Sequence, residues 1–206
     1  MLLASCGGSS VDGRRLVRLA GDCYRIPDWN AIPNAVPGDR SITLQFSSTE
    51  VARSLPGFLA SGSGAGRRLL AGIFFPTEQE RAQQRLNKQR AHHDIWYALG
   101  DYRARALEPI SGTALIRVYP LAGGNTWMVV TRAPDTERRD SHLLDDFWIA
   151  TCNYAGTERA RTCSLYVDVG AASVSLHIAE AEVQLRQNLA RYVVSTLKAW
   201  QVPCDS

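Results

Sequence analysis

Between residues 113 and 178, five short segments alternate apolar and polar side chains, and a stretch with helical periodicity follows them to about residue 200. The segments are 113–119, 125–132, 146–154, 162–169 and 173–178, punctuated by Gly123-Gly124, Pro134-Asp135, Gly156 and Gly170. Alternation buries one face of a strand, and turn residues at this spacing join neighbouring strands antiparallel. In the following stretch Val183, Leu189, Tyr192, Val193, Leu197 and Trp200 fall on one helical stripe. Together these patterns predict an α+β fold: a mainly antiparallel sheet, a meander from about residue 113, with a C-terminal amphipathic helix packed on one face.

The first half of the chain carries weaker punctuation. An ordered segment is expected around Leu16-Val17-Arg18-Leu19, and an irregular extended one over 27–38, where Pro27, Pro33, Pro37 and Gly38 cluster. Ile42-Thr43-Leu44-Gln45-Phe46 alternates and predicts a short strand. Ser47-Ser48-Thr49-Glu50 has capping-box spacing and predicts a brief helix ending before Pro56-Gly57. A second capping box, Thr77-Glu78-Gln79-Glu80, opens a helix near 77–91 that is polar almost all round, as suits a solvated outer element. The intervening Gly62, Gly64 and Gly66 are spaced Gly-x-Gly-x-Gly with no Lys-Ser/Thr behind them, so the segment reads as a surface loop and not a phosphate cradle.

Composition narrows the class of protein. Apolar residues at 45% and charged ones at 21% can build a packed core, which excludes wholesale disorder. A net charge of +3, spread along the chain, does not argue for nucleic acid as a partner. No run approaches the roughly 18–20 apolar residues that a spanning helix needs. Five cysteines are present. Cys152 and Cys163 fall opposite each other in adjacent predicted strands, close enough for a disulfide. Cys23 and Cys204 would tie the first ordered segment to the tail after the last helix. Four cysteines allow three connectivities, and the predicted hairpin favours this one. No Cys-x₂₋₄-Cys or His-x₃₋₅-His unit is present, so neither a metal nor another cofactor is expected.

The fifth cysteine sits in a different context. Leu3-Ala4-Ser5-Cys6, followed by Gly7-Gly8-Ser9-Ser10, resembles the lipobox and tether of bacterial lipoproteins. Only five uncharged residues precede the cysteine, so the resemblance implies that they are the remnant of a longer signal peptide. It implies lipidation of Cys6, a lipid anchor and flexible tether over 6–20, and one globular domain over 21–206. Gly7 after the cysteine resembles proteins sorted to the outer membrane, which places the domain in the periplasm. Disulfides persist in that compartment.

Candidate chemistry is sparse, and no catalytic residue is assigned. His92-His93 are adjacent and diverge on a helix, which suits metal ligation poorly. His177 alternates with Val174, Leu176 and Ile178 and is expected on the opposite strand face. Asp145-Asp146 read as a charged strand entrance. Gly-x-Ser-x-Gly, Ser-x-x-Lys and His-Glu-x-x-His are absent. Aromatic and arginine side chains suit a protein interface, and Trp29, Trp96, Tyr97, Arg85 and Arg90 are the candidates for one. The expected function is therefore a protein-binding module and not an enzyme: an envelope lipoprotein of the immunity or inhibitor kind, whose partner is a toxin acting in the periplasm. Two alternatives are a structural or assembly lipoprotein of an envelope machine, bound to an envelope component, and a periplasmic hydrolase with a dispersed active site.

Overall fold

The computed structural model describes residues 13–32, 39–58, 68–86 (backbone to 93), 107–119, 125–131, 148–155 and 160–204. The fold is α+β, with an eight-stranded, mostly antiparallel sheet whose strands lie in the order 41–47, 68–74, 172–179, 160–169, 148–155, 126–130, 116–118 and 107–109, and a three-stranded sheet in the order 14–19, 22–27 and 201–202. The chain divides into two compact units, one made of Met1–Phe75, Val167–Ser175 and Gln187–Ser206, the other of Pro76–Tyr166 and Leu176–Arg186.

In the first unit, β1 (Arg14–Leu19) pairs antiparallel with β2 (Asp22–Pro27), and β11 (Gln201–Val202) adds to the far side of β2. The β1–β2 connection is tight because Ala20 and Gly21 both adopt positive φ. Strand β3 (Ser41–Ser47) pairs antiparallel with β4 (Arg68–Phe74). Helix α1 (Ser48–Ser54) follows β3 directly. The expected capping box there does not form, because Ser47 is still paired with Arg68 in the strand and its side chain makes no cap hydrogen bond. Helix α3 (Arg186–Ala199) buries Leu189, Val193 and Leu197, and its end is pinned by Phe46 of β3. The Phe46 ring meets Tyr192 edge-on at 5.7 Å and stacks with Trp200 at 6.3 Å.

The second unit opens with α2 (Glu78–His93), whose capping box does form. The Glu80 carboxylate accepts from the Thr77 N–H and hydroxyl, and Thr77 Oγ1 accepts from the Glu80 N–H. The meander then runs β5 (Leu107–Pro109), β6 (Ile116–Val118), β7 (Thr126–Val130), β8 (Trp148–Ala155) and β9 (Ala160–Val169), each antiparallel to the next. It starts earlier than the alternation suggests, and its second strand is shorter. Residues 110–115 form the β5–β6 turn, closed by Ile110 N–H to Leu115 carbonyl and Thr113 N–H to Ile110 carbonyl, with Gly112 at φ +74°. Strand β10 (Ala172–Ala179) passes into a 3₁₀ segment (Glu180–Leu185) before α3, so the expected single helix from 179 to 200 is two elements. The tighter turn is set where the Glu182 carboxylate reaches back to the Ala179 N–H at 2.9 Å.

Two disulfides are present. Cys152 and Cys163 face each other across β8 and β9 with Cα atoms 4.0 Å apart, inside the second unit. Cys23 and Cys204 join β2 to the residue pair after β11, Cα 5.1 Å apart, inside the first. The pairing favoured by the predicted hairpin is the one observed.

Candidate functional site

The second unit buries a carboxylate at the point where its sheet turns into the 3₁₀ segment. Glu180, 5% exposed, follows the apolar strand β10 and is carried inward by it. Strand β6 presents Arg117 to the same face, and β7 presents Trp127. Glu180 accepts from Arg117 Nε at 2.6 Å and Nη2 at 2.7 Å, and from Trp127 Nε1 at 2.7 Å. Arg117 also donates from Nη1 to Glu108 on β5 at 2.5 Å, and Glu108 accepts from the Tyr119 hydroxyl at 2.7 Å. A buried ion pair is tolerated when its lone pairs and protons are satisfied, and this one is satisfied from three strands.

The electrostatics of the cluster are settled by these contacts. Burial alone would raise the Glu180 pKa, but hydrogen bonds from Arg117 and Trp127, with the charges of Arg117 and Arg161, hold the carboxyl below the ordinary value. The hydrogen bond to Glu180 pushes Arg117 up despite its burial. Burial, then the hydrogen bond to Glu108, pushes the Tyr119 phenol up. All three shifts move away from neutrality, so charges here are fixed across neutral pH. Groups held this way suit orienting and attracting a charged ligand.

An open cleft of about 490 Å³ lies over the cluster. Ser111 and Thr113 from the β5–β6 turn, Gln184 from the 3₁₀ segment, and Arg161 of β9 line it beside Arg117 and Glu180. Arg161 differs from Arg117. Its side chain is 42% exposed, and among the described residues its one hydrogen bond is long, Nη1 to Glu180 Oε2 at 3.4 Å. A guanidinium carries five donors, so most of its capacity is left for a ligand. Tyr119 and Tyr154, both half-buried, pack tilted against Trp127 with ring centroids 6.2 and 4.9 Å away.

Two other placements bear on chemistry. Ser164 Oγ and His177 Nδ1 meet at 2.9 Å across β9 and β10, but both side chains are on the exposed strand face, as alternation predicts for His177, and neither lines the cleft. In the first unit, a second cleft of about 580 Å³ lies against the Cys23–Cys204 disulfide and carries Asp22 and Lys198. Among the described residues, no group of three His, Cys, Asp or Glu side chains is placed to hold a metal ion.

Of the expected interface residues, Trp29 is half exposed in the turn after β2, in the first unit, and Arg85 is exposed on α2, in the second. Arg90, Trp96 and Tyr97 lie outside the described side chains, as do Cys6, the glycine-rich loop at 61–66, His92, His93, and Asp145-Asp146. Sequence reasoning missed Glu108, Arg117, Arg161 and Glu180. The available signals were an arginine inside a β-branched strand, Ile116-Arg117-Val118, and a glutamate directly after an apolar strand. Neither signal identifies its partner.

No family model and no curated protein matches the chain. Among solved structures it is similar to an immunity protein of the Stenotrophomonas maltophilia type IV secretion system, at 13% identity and a TM-score of 0.49, over 95% of this chain and 98% of that one.

Proposed function

We propose that the chain is an envelope lipoprotein that binds a protein partner and neutralises it, as an immunity protein neutralises a toxin acting in the periplasm. Acyl chains on Cys6 anchor it to the outer membrane in this reading, and the lipobox-like Leu3-Ala4-Ser5-Cys6 supports the anchor. The two disulfides support an oxidising compartment.

The observation that carries the binding role is the cleft over Glu180. Its floor is a saturated, fixed-charge cluster around a buried tryptophan, its lining includes Arg161 with donors to spare, and two half-buried tyrosines pack on that tryptophan. Arginine and aromatic side chains around a rigid, desolvated centre are the composition of interface hot spots. A partner carboxylate seated in the cleft would meet Arg161 without displacing Arg117 from Glu180.

The test is capture of the lipidated full chain from envelope extract, paired with a competition assay between strains. One stoichiometric, toxic partner, and loss of protection when the chain is deleted, are the expected results. Recovery of several components of one assembly, with no toxicity phenotype, would replace this reading with the assembly role. The anchor has its own test. Cys6→Ala should move the protein from the membrane to the soluble fraction, and continued membrane retention would place the anchor elsewhere.

A further inference from the structure

The three-stranded sheet of the first unit has one face with an unusual composition. Residues paired across antiparallel strands share a face, and so do alternate residues along one strand. Arg14 pairs with Pro27, Leu16 with Arg25, Arg18 with Cys23, and Val202 of β11 also pairs with Cys23. One face therefore carries Arg14, Leu16, Arg18 and Arg25. All four are exposed, Leu16 at 41%. Arg14 and Arg18 flank Leu16 at about 7 Å along the strand, and Arg25 lies directly across from it. Among the described positions of that face there is no carboxylate; Asp22 pairs with Leu19 and belongs to the other side. Three guanidinium groups around an exposed leucine repel one another unless something anionic covers them.

We infer that this face docks on an anionic phospholipid surface. The guanidinium groups pair with headgroup phosphates, and Leu16 enters the interfacial layer. Among anionic occupants, the position of the face in the chain favours lipid. Arg14 is eight residues beyond Cys6, a span of at most about 29 Å, so an acyl chain on Cys6 would hold the face within reach of the bilayer. An arginine near an anionic leaflet contributes about a fivefold gain in partitioning. Three of them would fix the orientation of a domain already held by lipid, with the face toward the membrane. The inference relies on the lipoprotein reading for that proximity, but the face can be tested with no lipid on the protein.

The experiment uses the full chain carrying Cys6→Ser and co-sedimentation with vesicles of phosphatidylcholine, with and without 30% phosphatidylglycerol, at ~50 mM salt. Binding should require phosphatidylglycerol and weaken as salt rises. Replacing Arg14, Arg18 and Arg25 together by serine should lower the partition coefficient by about a hundredfold. The triple lysine variant should stay within about tenfold of the parent, which separates lost charge from lost fold. A control triple, Arg53→Ser, Arg85→Ser and Arg191→Ser, removes the same formal charge from exposed helix positions and should leave binding within about threefold. No dependence on phosphatidylglycerol, or equal losses in both serine triples, would overturn the inference. So would a first triple that binds vesicles normally but loses the protein partner, since the face would then belong to that partner. Failure of the anchor reading would show separately, as membrane retention of Cys6→Ala in cells.

Discussion

Arg117 and Glu180 stand 63 residues apart in the chain and meet through two parallel hydrogen bonds, Nε to Oε1 and Nη2 to Oε2, at 2.6 and 2.7 Å. Each side chain is nearly closed off from solvent, so removing one leaves an unpaired charge in the interior. Arg117→Ala and Glu180→Ala should each lower unfolding stability by about 3–5 kcal/mol. The double replacement Arg117→Met with Glu180→Leu should cost much less than the sum of the two single losses. Urea denaturation of the four proteins measures this. Single-site losses below about 1 kcal/mol would mean that the pair is not what holds β6 to the 3₁₀ segment.

The same carboxylate makes stability depend on acid. The folded-state pKa of Glu180 lies below its ordinary value of 4.5, so the unfolded chain takes up the proton first as pH drops. Its contribution is complete above about pH 4.5 and declines as pH falls through the depressed native pKa. Glu180→Gln should therefore flatten the acid limb of a plot of urea midpoint against pH. An unchanged slope between about pH 5 and 2 would assign acid sensitivity to other carboxylates.

Breaking the two disulfides should cost different amounts. In the chain-entropy account, the bond across a separation of 11 contributes about 3 kcal/mol and the bond across 181 about 5. Cys23→Ser with Cys204→Ser should lower the urea midpoint more than Cys152→Ser with Cys163→Ser. The reverse order would show that packing around β8 and β9, and not loop closure, dominates.

Arg161 separates binding from folding. It is the partly exposed guanidinium of the cleft, and among the described residues its side chain is held only by a long contact to Glu180. Arg161→Gln, which removes the charge without reversing it beside Glu180, should weaken partner affinity by at least about tenfold while changing unfolding stability by about 1 kcal/mol or less. Calorimetric titration with the captured partner, alongside thermal unfolding, checks both halves. Unchanged affinity would move the docking surface away from this cleft.

Much of the fold is legible in the amino-acid sequence, because its signals are local. The hairpin of β8 and β9 shows as two alternating runs around a short polar turn, and that proximity makes the Cys152–Cys163 pairing deducible. Thr77 and Glu80 lie three residues apart and mark the start of α2 unaided. Strand β4 escapes such a reading for a physical reason. Leu69-Leu70-Ala71-Gly72-Ile73-Phe74 is apolar on both faces, so its period is hidden, and Leu70 stays 40% exposed. The candidate site is hidden for another reason. Glu108, Arg117, Arg161 and Glu180 come from four separate elements, and their meeting depends on strand order. Alternation says which face a residue takes and is silent about which strand lies beside it.

The nesting of the disulfides has a consequence for manufacture. Cys23 is the first of the four bonded cysteines in the chain and Cys204 the last, with the Cys152–Cys163 loop enclosed between them. If the chain is exported as proposed, an oxidant that joins cysteines as they emerge would link Cys23 to Cys152 before Cys204 arrives. The native pattern is then reached only by thiol exchange that unmakes that first bond. The yield of such a protein would then depend on a disulfide isomerase as well as on oxidising power. A cell lacking the isomerase would accumulate a mis-stapled chain even with every residue of the cleft intact.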